Sequence, residues 1–340
     1  MGTKTGYWAD NIAGRVIKNR GLKQVVATGI TPSGPIHLGN LREVVTADAS
    51  FRALKEGGAE ASLIYVADTS DPLRRVYPFL PSSYEEYVGK PLYRIPDPDG
   101  CCENYAEHFL KPFLNALGSL GVTPTIYRAH ELYREGIYTE VISEALVNRD
   151  KIASILKEKT GRDISEDWMP FNVECQVCES VTDTRIVQVD VSSHTIDYTC
   201  ECGHKGVADY GKGMGKLPWR IDWPARWKAL GVTVEPFGKD HATAGGSYDT
   251  GSEISREVFG YEPPSPIVYE WIYLKGKGAM ASSTGVAISA QEMLDIVPPE
   301  VVRFLILRVR PEKHIEFDPG SGLLQLIDEY QGVERSYFAR

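Results

Sequence analysis

Short apolar runs rich in β-branched residues alternate with longer helical runs along this chain, and this alternation most constrains its fold. Parallel strands need crossover connections, which are usually helices. The pattern therefore predicts an α/β fold with a doubly wound parallel sheet. The predicted strands cover residues 24–30, 61–67, 125–129, 233–236 and 267–274, and the predicted helices cover residues 38–56, 105–120, 138–160, 250–259, 299–309 and 323–340.

The first predicted strand leads into an unusual loop, TGITPSGPIHLGN, which runs from Thr28 to Asn40. Parallel sheets bind ligands beyond the carboxyl ends of their strands, and the N-terminus of a following helix favours phosphate. Glycines let the backbone approach such a ligand closely. The loop lacks both the Gly-Lys-Ser/Thr of a Walker loop and the GxGxxG of dinucleotide-binding loops, so it predicts a nucleotide site of another kind.

The composition is typical of a soluble globular chain, because 42% of the 340 residues are hydrophobic and 24% are charged. No run approaches about 18 uninterrupted apolar residues, and the N-terminus lacks the apolar core of a signal peptide. We therefore expect a cytoplasmic protein with no membrane partner, and a monomer. The net charge of −9 argues against a generic polyanion binder. A local basic surface could still bind nucleic acid.

Six cysteines fall in three close pairs, which in a cytoplasmic protein favours metal binding over disulfides. Cys175 and Cys178 are followed, after 21 intervening residues, by Cys200 and Cys202. This spacing is typical of a zinc ribbon, in which two turns present thiolates to one structural ion. The fourth ligand stays open between Cys202 and His204, since both lie within reach.

A second candidate metal site consists of Asp97, Cys101, Cys102 and His108. Gly100 permits a sharp turn, and helical spacing lets the histidine turn back towards the cysteines. A carboxylate, thiolates and an imidazole together would complete a zinc shell. Spacing alone leaves half-buried packing of the adjacent cysteines as an equally good interpretation.

The four residues from His37 to Asn40 resemble the HIGH signature of class I aminoacyl-tRNA synthetases. In that signature the first and fourth residues stabilise the triphosphate while the α-phosphate of ATP is attacked. The imidazole of His37 and the amide of Asn40 can donate hydrogen bonds to developing charge beside a helix N-terminus. Gly39 would let adenine lie against the backbone. The motif alone is a weak match, because a single loop histidine is usually structural.

Longer segments resemble the class I lysyl-tRNA synthetase family of archaeal type, and the resemblance runs from Trp8 to about Phe338. The segments are VADTSDPLRRV, PDPDGCCENYAEHF, LPWRIDWPARW, EPFGKDHATAGGSYDTG and PPEVVRFLILRVRPEKHIEFD. The resemblance implies a Rossmann-type class I core with zinc-binding insertions. The implied divisions are the first catalytic half with its HIGH-like loop (1–90), a helical connective region with the first zinc site (91–170), a zinc ribbon (171–210), the second catalytic half (211–275), and the KMSKS-like loop with the start of a stem-contact region (276–340).

The same resemblance implies roles for individual residues. The lysine pocket would comprise Gly29, Thr31, Trp219, His241 and Tyr269, although core packing also explains the tryptophan and the tyrosine. ATP would contact Pro32, Ser33, His37, Gly39, Asn40 and, through its ribose, Asp240. The implied zinc ligands are Asp97, Cys101, Cys102 and His108 at one site and Cys175, Cys178, Cys200 and His204 at the other. The lysine ε-ammonium needs a counter-charge, and the sequence does not choose among Asp222, Glu43 and Asp68.

The family's second signature, KMSKS, is altered here to AMASS at residues 279–283, so its lysines are lost. The loop would keep its shape, and the resemblance still assigns catalytic roles to Met280, Ser282 and Ser283. Lys275 and Lys277 lie just upstream and could supply the missing positive charge. Solvation of both lysines in a loop is an equally good interpretation.

The implied function is a lysine–tRNA ligase. It would use ATP with Mg²⁺ to form lysyl-adenylate and then transfer lysine to the 3′-terminal adenosine of tRNA(Lys). The alternative is a synthetase-like paralogue that adenylates lysine or an analogue for another acceptor; the retained HLGN and GKDH argue against a non-enzymatic regulator. The family continues into an anticodon-binding domain, so we expect only the catalytic core, either cut from a longer protein or a natural short paralogue.

Overall fold

A five-stranded parallel sheet lies at the centre of this computed structural model, which describes residues 6–276, 278–279 and 288–339. The strands are β1 (Lys23–Ile30), β2 (Glu60–Ala67), β3 (Thr125–Arg128), β4 (Asn172–Val173), β5 (Thr184–Asp190), β6 (Thr195–Cys200), β7 (Lys205–Asp209), β8 (Gly215–Lys216), β9 (Val234–Gly238), β10 (Ser265–Tyr269), β11 (Ile272–Leu274), β12 (Gly278–Ala279) and β13 (Ile315–Phe317).

Helices cover the sheet and the regions inserted into it. The α-helices are α1 (Trp8–Arg20), α2 (Leu38–Glu56), α3 (Tyr105–Ser119), α4 (Ala129–Arg134), α5 (Thr139–Val147), α6 (Arg149–Thr160), α7 (Trp219–Leu230), α8 (Ser247–Glu257), α9 (Ala290–Ile296), α10 (Pro299–Leu307) and α11 (Ser321–Phe338). Short 3₁₀-helices span Ser82–Tyr87, Leu92–Arg94, Tyr210–Lys212 and Lys239–Ala242. Within the described ranges, no helix is both long enough and apolar enough to cross a membrane.

The strand order of the central sheet is β10-β9-β1-β2-β3, and every neighbouring pair is parallel. The chain runs outwards from β1 through β2 to β3, then returns to β9 on the other side of β1. The strand order therefore reverses between β1 and β9. In open parallel sheets a ligand crevice forms at this reversal, beyond the carboxyl ends of the strands. This topology confirms the predicted doubly wound sheet.

Each face of the central sheet packs against its own core. Val26 and Tyr65 pack with apolar residues of α1 and α2 on one face. Ala27 and Ile64 point the other way and pack against Trp227 of α7. Because successive residues of a strand alternate between faces, β1 and β2 must be apolar on both sides. Their continuous apolar runs in the sequence follow from this double burial.

The predicted strand at 267–274 is wrong as a single element. It divides into β10, which pairs with β9 in the central sheet, and β11, which pairs with β12 and β13. The chain bends at Trp271, whose carbonyl accepts a hydrogen bond of 3.3 Å from the buried guanidinium of Arg42 in α2. This bend directs the chain out of the central sheet beside the crevice.

The predicted helix at 138–160 is also two elements, α5 and α6. They meet at Asn148, which has φ −99° and ψ 24° and therefore leaves the helical conformation. Its side-chain amide donates a hydrogen bond of 2.9 Å to the carbonyl of Glu144. Asparagine often competes with a helix in this way, through hydrogen bonds to nearby backbone groups.

Candidate active site

A cavity of about 750 Å³ lies beyond the carboxyl ends of the central strands, at the reversal between β1 and β9. Loops that follow β1, β2, β9 and β10 form its wall together with the N-terminal ends of α2, α7 and α8. Its lining comprises Gly29, Ile30, Thr31, His37, Gly39, Asn40, Glu43, Asp68, Asp71, Arg74, Trp219, Arg220, Gly238, Asp240, His241, Ser247, Tyr269, Trp271 and Ile272.

His37 and Asn40 hold the N-terminus of α2 at the edge of this cavity. Nδ1 of His37 accepts a hydrogen bond of 3.1 Å from the amide of Gly39, and Oδ1 of Asn40 accepts one of 3.2 Å from the amide of His37. Burial lowers the pKa of the imidazole to about 4, so the ring is neutral at pH 7. Because Nδ1 is an acceptor, the proton is assigned to Nε2, which can donate to a ligand.

Two glycines of the cavity wall leave no space for a side chain. A β-carbon on Gly39 would lie 2.8 Å from ring atoms of His37. One on Gly29 would lie 2.9 Å from the carbonyl oxygen of Val66 and 3.0 Å from Nη1 of Arg226. Contacts below 3.0 Å force a neighbour to move. Any larger residue at either position would therefore displace the wall of the cavity.

Glu43 presents a carboxylate to the cavity from the second turn of α2. Oε1 accepts hydrogen bonds from the hydroxyl of Thr28 (2.5 Å) and the amide of Gly29 (3.1 Å), and Oε2 accepts one from the hydroxyl of Tyr269 (2.9 Å). Removal from water raises the pKa of this carboxyl to about 7, although all three hydrogen bonds lower it. In the part of the chain that the structure describes, Glu43 forms no salt bridge.

Three buried aspartates of this region already have cationic partners. Asp68 pairs with Arg226, and the pKa of Asp68 is raised to about 6 because burial outweighs this ion pair. Asp71 pairs with Lys216. Asp222 also pairs with Arg226, at 2.9 Å, and does not line the cavity. Glu43 therefore differs from Asp68 and Asp71, since it lines the cavity without a salt bridge among the described residues.

An aromatic wall stands on the α7 side of the cavity. Trp219 stacks on Trp223 with ring centroids 5.1 Å apart and an interplanar angle of 16°. Nε1 of Trp219 donates a hydrogen bond of 3.3 Å to Oγ of Ser247, which fixes the indole. The ring of His241 lies 5.5 Å from Trp223, and burial lowers the pKa of this histidine. The wall can pack the aliphatic stem of a ligand whose charged end reaches the floor.

Cys175, Cys178, Cys200 and Cys202 form a group that could hold a metal ion, because their sulfur atoms lie within 4.8 Å of one another. The sulfur atoms of Cys175 and Cys202 are 3.7 Å apart, and those of Cys178 and Cys200 are 3.5 Å apart. Four thiolates around a tetrahedral zinc ion, with Zn–S of about 2.3 Å, would be separated by roughly 3.8 Å. The spacing therefore fits a zinc ion.

The structure brings Cys202, and not His204, into this four-sulfur group. The His204 ring packs against Tyr198 with centroids 5.9 Å apart, and its carbonyl accepts a hydrogen bond of 2.9 Å from the amide of Cys200. Its Nε2 is buried, with no hydrogen-bond partner among the described residues. Of the two ligands that spacing left open, the geometry thus favours the cysteine.

The second group, Asp97, Cys101 and Cys102, also has its ligand atoms within 4.8 Å of one another. Nδ1 of His108 lies 2.8 Å from Oδ1 of Asp97 and 3.5 Å from the sulfur of Cys101. Gly100 has φ +68°, the conformation that lets the chain turn sharply before the cysteines. The four predicted residues are therefore neighbours in space.

The sequence matches one protein-family model along almost its whole length. The family model described as tRNA synthetases class I (K) matches residues 6–340. The chain belongs to this class I tRNA synthetase family. The match confirms the resemblance found in the sequence and agrees with the parallel sheet and with the position of the cavity.

Curated relatives carry the name lysine–tRNA ligase. The one from Methanosarcina barkeri (strain Fusaro / DSM 804) is 61% identical over 98% of this chain and 62% of its own length. Those from Archaeoglobus fulgidus and Methanocaldococcus jannaschii are 55% and 50% identical over 96% and 98% of this chain and 65% and 63% of their own lengths. The chain thus spans less than two thirds of these relatives. An arginyl-tRNA synthetase structure from Thermus thermophilus aligns over 92% of this chain and 64% of that one, with 13% identity and a TM-score of 0.48, and adds nothing to the assignment.

Most of the site residues implied by the resemblance to class I tRNA synthetases lie together around the cavity. All five residues predicted for lysine line it, as do four of the six predicted for ATP. Pro32 and Ser33 are the exceptions: neither is part of the lining, and the carbonyl of Ser33 accepts a hydrogen bond of 2.7 Å from the hydroxyl of Tyr105. The predicted Met280, Ser282, Ser283 and Lys277 lie outside the described residues.

Sequence reasoning missed several residues of the class I tRNA synthetase cavity. Asp71, Arg74, Arg220 and Trp271 line it without having been predicted. Asp71, Arg74 and Trp271 follow central strands, and Arg220 lies at the start of α7. These positions could have indicated that the four residues belong to the site. Lys275, predicted as a replacement for the KMSKS lysines, instead lies 2.9 Å from Asp318 and does not line the cavity.

Proposed function

We propose that this chain carries the catalytic core of a lysine–tRNA ligase, which activates lysine with ATP and transfers it to the terminal adenosine of tRNA(Lys). The observation that carries the proposal is Glu43, a cavity carboxylate whose hydrogen-bond donors are all neutral. An ammonium group is the natural partner for such a carboxylate. Membership of the class I tRNA synthetase family and relatives named lysine–tRNA ligases support the same conclusion.

Lysine matches the charge of the cavity as well as its shape. Its ε-ammonium can pair with Glu43, which lines the cavity without a salt bridge in the described part of the chain. We infer that Glu43 and the hydroxyl of Tyr269 bind the ε-ammonium, while Trp219 packs against the aliphatic stem. Asp68 and Asp222 are less suited to this role because both carboxylates already pair with Arg226.

The triphosphate of ATP would lie at the N-terminus of α2. There the Nε2–H of His37 and the amide group of Asn40 can donate to charge that develops as the lysine carboxylate attacks the α-phosphate. Asp240 would accept hydrogen bonds from the ribose hydroxyls. Mg²⁺ bound with ATP would neutralise part of the phosphate charge. Catalysis would then rest on positioning and charge stabilisation, without a protein nucleophile.

Two zinc ions would stabilise the regions inserted into the core. We assign one to the four cysteines of residues 175–202 and one to Asp97, Cys101, Cys102 and His108. Both donor sets suit zinc. Zinc in these closed sites would order the surrounding loops and contribute to folding rather than to the reaction.

Elemental analysis of protein purified without chelator is expected to give close to two zinc ions per chain. Cys178→Ser should remove one ion and lower the Tm, because the remaining three thiols bind zinc more weakly. His204→Ala should retain both ions, since the geometry leaves that imidazole outside the shell. Loss of an ion in the His204 variant would contradict the four-cysteine assignment, and a content below one ion per chain would contradict both sites.

Two assays on the unaltered chain separate the proposed ligase from its alternative. Lysine-dependent ATP–pyrophosphate exchange reports adenylate formation, and charging of tRNA with labelled lysine reports transfer. The proposal expects both reactions. If the chain catalyses exchange but does not charge a tRNA(Lys) that a full-length relative charges, the result would instead support a paralogue that adenylates lysine for another acceptor.

A further inference from the structure

Residues 74–79 form a partly exposed strip beside the cavity. Buried leucines anchor both ends of this segment: Leu73 forms backbone hydrogen bonds with Lys90 (3.0 Å) and Gly89 (2.9 Å), and Leu80 bonds to Tyr77 (2.9 Å). Between these leucines, Arg74, Arg75 and Phe79 are exposed, whereas Tyr77 is half-buried and packs against the buried cluster that includes both leucines. We call Arg74, Arg75, Tyr77 and Phe79 the arginine–aromatic strip.

The two rings of the strip are held in parallel. Tyr77 and Phe79 stack with centroids 5.5 Å apart and an interplanar angle of 6°, and Phe79 packs edge-on against Phe109 at 5.5 Å. Phe79 nevertheless stays 41% exposed. Tyr77 and Phe109 therefore fix the position of the Phe79 ring, which remains partly accessible to a flat ligand.

Phe79 also connects the strip to the HIGH-like loop. A β-carbon on Gly34 of that loop would lie 2.8 Å from Cζ of Phe79, so the ring packs directly on the glycine backbone. Arg74, at the other end of the strip, lines the cavity itself. The strip is thus continuous with the active site.

The strip carries two positive charges that no carboxylate binds. Arg75 lies over the ring of Tyr77 at 5.5 Å, and Arg74 lowers the pKa of the nearby Asp71. Among the residues that the structure describes, neither arginine forms a salt bridge. In a chain with a net charge of −9, two exposed arginines without a salt bridge in the described residues, beside the exposed ring of Phe79, form a local basic surface.

We propose that the arginine–aromatic strip binds the single-stranded 3′ end of tRNA and guides the terminal adenosine into the cavity. Aromatic rings that stack on bases, combined with cations that contact phosphates, are the usual means of binding single-stranded nucleic acid. The proposal rests on the proposed function, because transfer of lysine requires the 3′ end at this cavity. It adds where that end lies and which residues hold it.

Fluorescence anisotropy with two labelled RNA hairpins tests the strip. The hairpins share one stem; one ends in four unpaired 3′ nucleotides and the other is blunt. The unaltered chain is expected to bind the first about tenfold more tightly, the size expected for stacking of one or two bases. Arg75→Gln and Phe79→Leu should each remove most of this preference. Arg15→Gln, on an exposed face of α1, is the matched control and should keep it.

The salt dependence of binding provides a second readout. Arg75→Gln should lower the slope of log Kd against log salt concentration by about 0.7, as expected for one lost phosphate contact on a single strand. Equal affinity of the unaltered chain for both hairpins would overturn the proposal. So would strip variants that keep the preference, or that lose affinity equally for both hairpins.

Lysine-dependent pyrophosphate exchange on the same preparations distinguishes the two proposals. The Arg75 and Phe79 variants should retain exchange within about twofold and should melt at the temperature of the unaltered chain. Absence of exchange in the unaltered chain would contradict the proposed function, while the hairpin preference would still decide whether the strip binds a single strand.

Discussion

Replacement of Glu43 by glutamine is expected to raise the KM for lysine by about two orders of magnitude in pyrophosphate exchange. Glutamine keeps the shape of the side chain, and its single oxygen can replace Oε1, which accepts from Thr28 and Gly29. It removes the negative charge, and truncating one partner of a desolvated ion pair costs about 2–5 kcal/mol. The KM for ATP should change little, because Glu43 faces the amino acid. Glu56→Gln, at the exposed end of the same helix, is the matched control.

The pH dependence of the KM for lysine tests the role of Glu43 independently of protein folding. The pKa of Glu43 is raised to about 7 in the free protein, and an ammonium group binds only the ionised carboxylate. The KM for lysine should therefore rise about tenfold per unit as pH falls below 7. Protonation of Asp68 adds to this rise below about pH 6. Glu43→Gln should abolish the rise between pH 7 and pH 6; if the rise persists there, another carboxylate binds the ammonium.

Replacement of His37 by alanine is expected to reduce lysine-dependent exchange by about 10²-fold or more, the cost of losing a preorganised donor to transition-state charge. The loss should lie in kcat, and the KM for lysine should stay nearly unchanged. The imidazole is neutral at pH 7 because burial lowers its pKa to about 4. The exchange rate should therefore not follow titration of this histidine between pH 6 and pH 8.

His37→Asn separates the chemical role of the histidine from its structural one. The imidazole caps α2 by accepting from Gly39, and asparagine is among the best residues at a helix N-cap. The asparagine variant should regain the stability that the alanine variant loses but should not regain exchange, because its shorter side chain does not reach the phosphates. Recovery of exchange by asparagine would mean that the histidine serves only as a cap.

The position of the site could be predicted because strand order and ligand position are linked by simple rules. A glycine-rich loop after the first buried strand places a ligand at the carboxyl edge of a parallel sheet. The residues implied by the resemblance come from distant segments but lie at that same edge: Tyr269 ends β10, and Trp219 begins α7. The cavity lining brings them together.

The counter-charge could not be predicted, because it depends on which carboxylates already have partners. From the sequence alone, Asp222, Glu43 and Asp68 are equally good candidates for this counter-charge. Only the fold brings Arg226 to both aspartates and leaves the glutamate among neutral donors. Pairing of buried charges is a long-range property, and no local pattern encodes it.

The predicted helices and strands were wrong where tertiary contacts override the local conformational preference of the sequence. Helix α7 was not predicted, because Pro224 lies inside it and because the faces beside its stripe of tryptophans are also buried and include the charged Asp222 and Arg226. It is buried on several sides between the sheet and α8, so its sequence has little amphipathic pattern. The bend between β10 and β11 likewise depends on Arg42, which is far away in the sequence.

The most direct test of the central claim is amino-acid-dependent ATP–pyrophosphate exchange by the unaltered chain with lysine, ornithine, arginine, methionine and glutamate. We expect lysine to give the highest kcat/KM. Ornithine, which is one methylene shorter, should be poorer by about 10- to 200-fold, as a single methylene allows. Glutamate should be inactive, because its carboxylate would face Glu43. Exchange that is better supported by glutamate, arginine or methionine than by lysine would contradict the account.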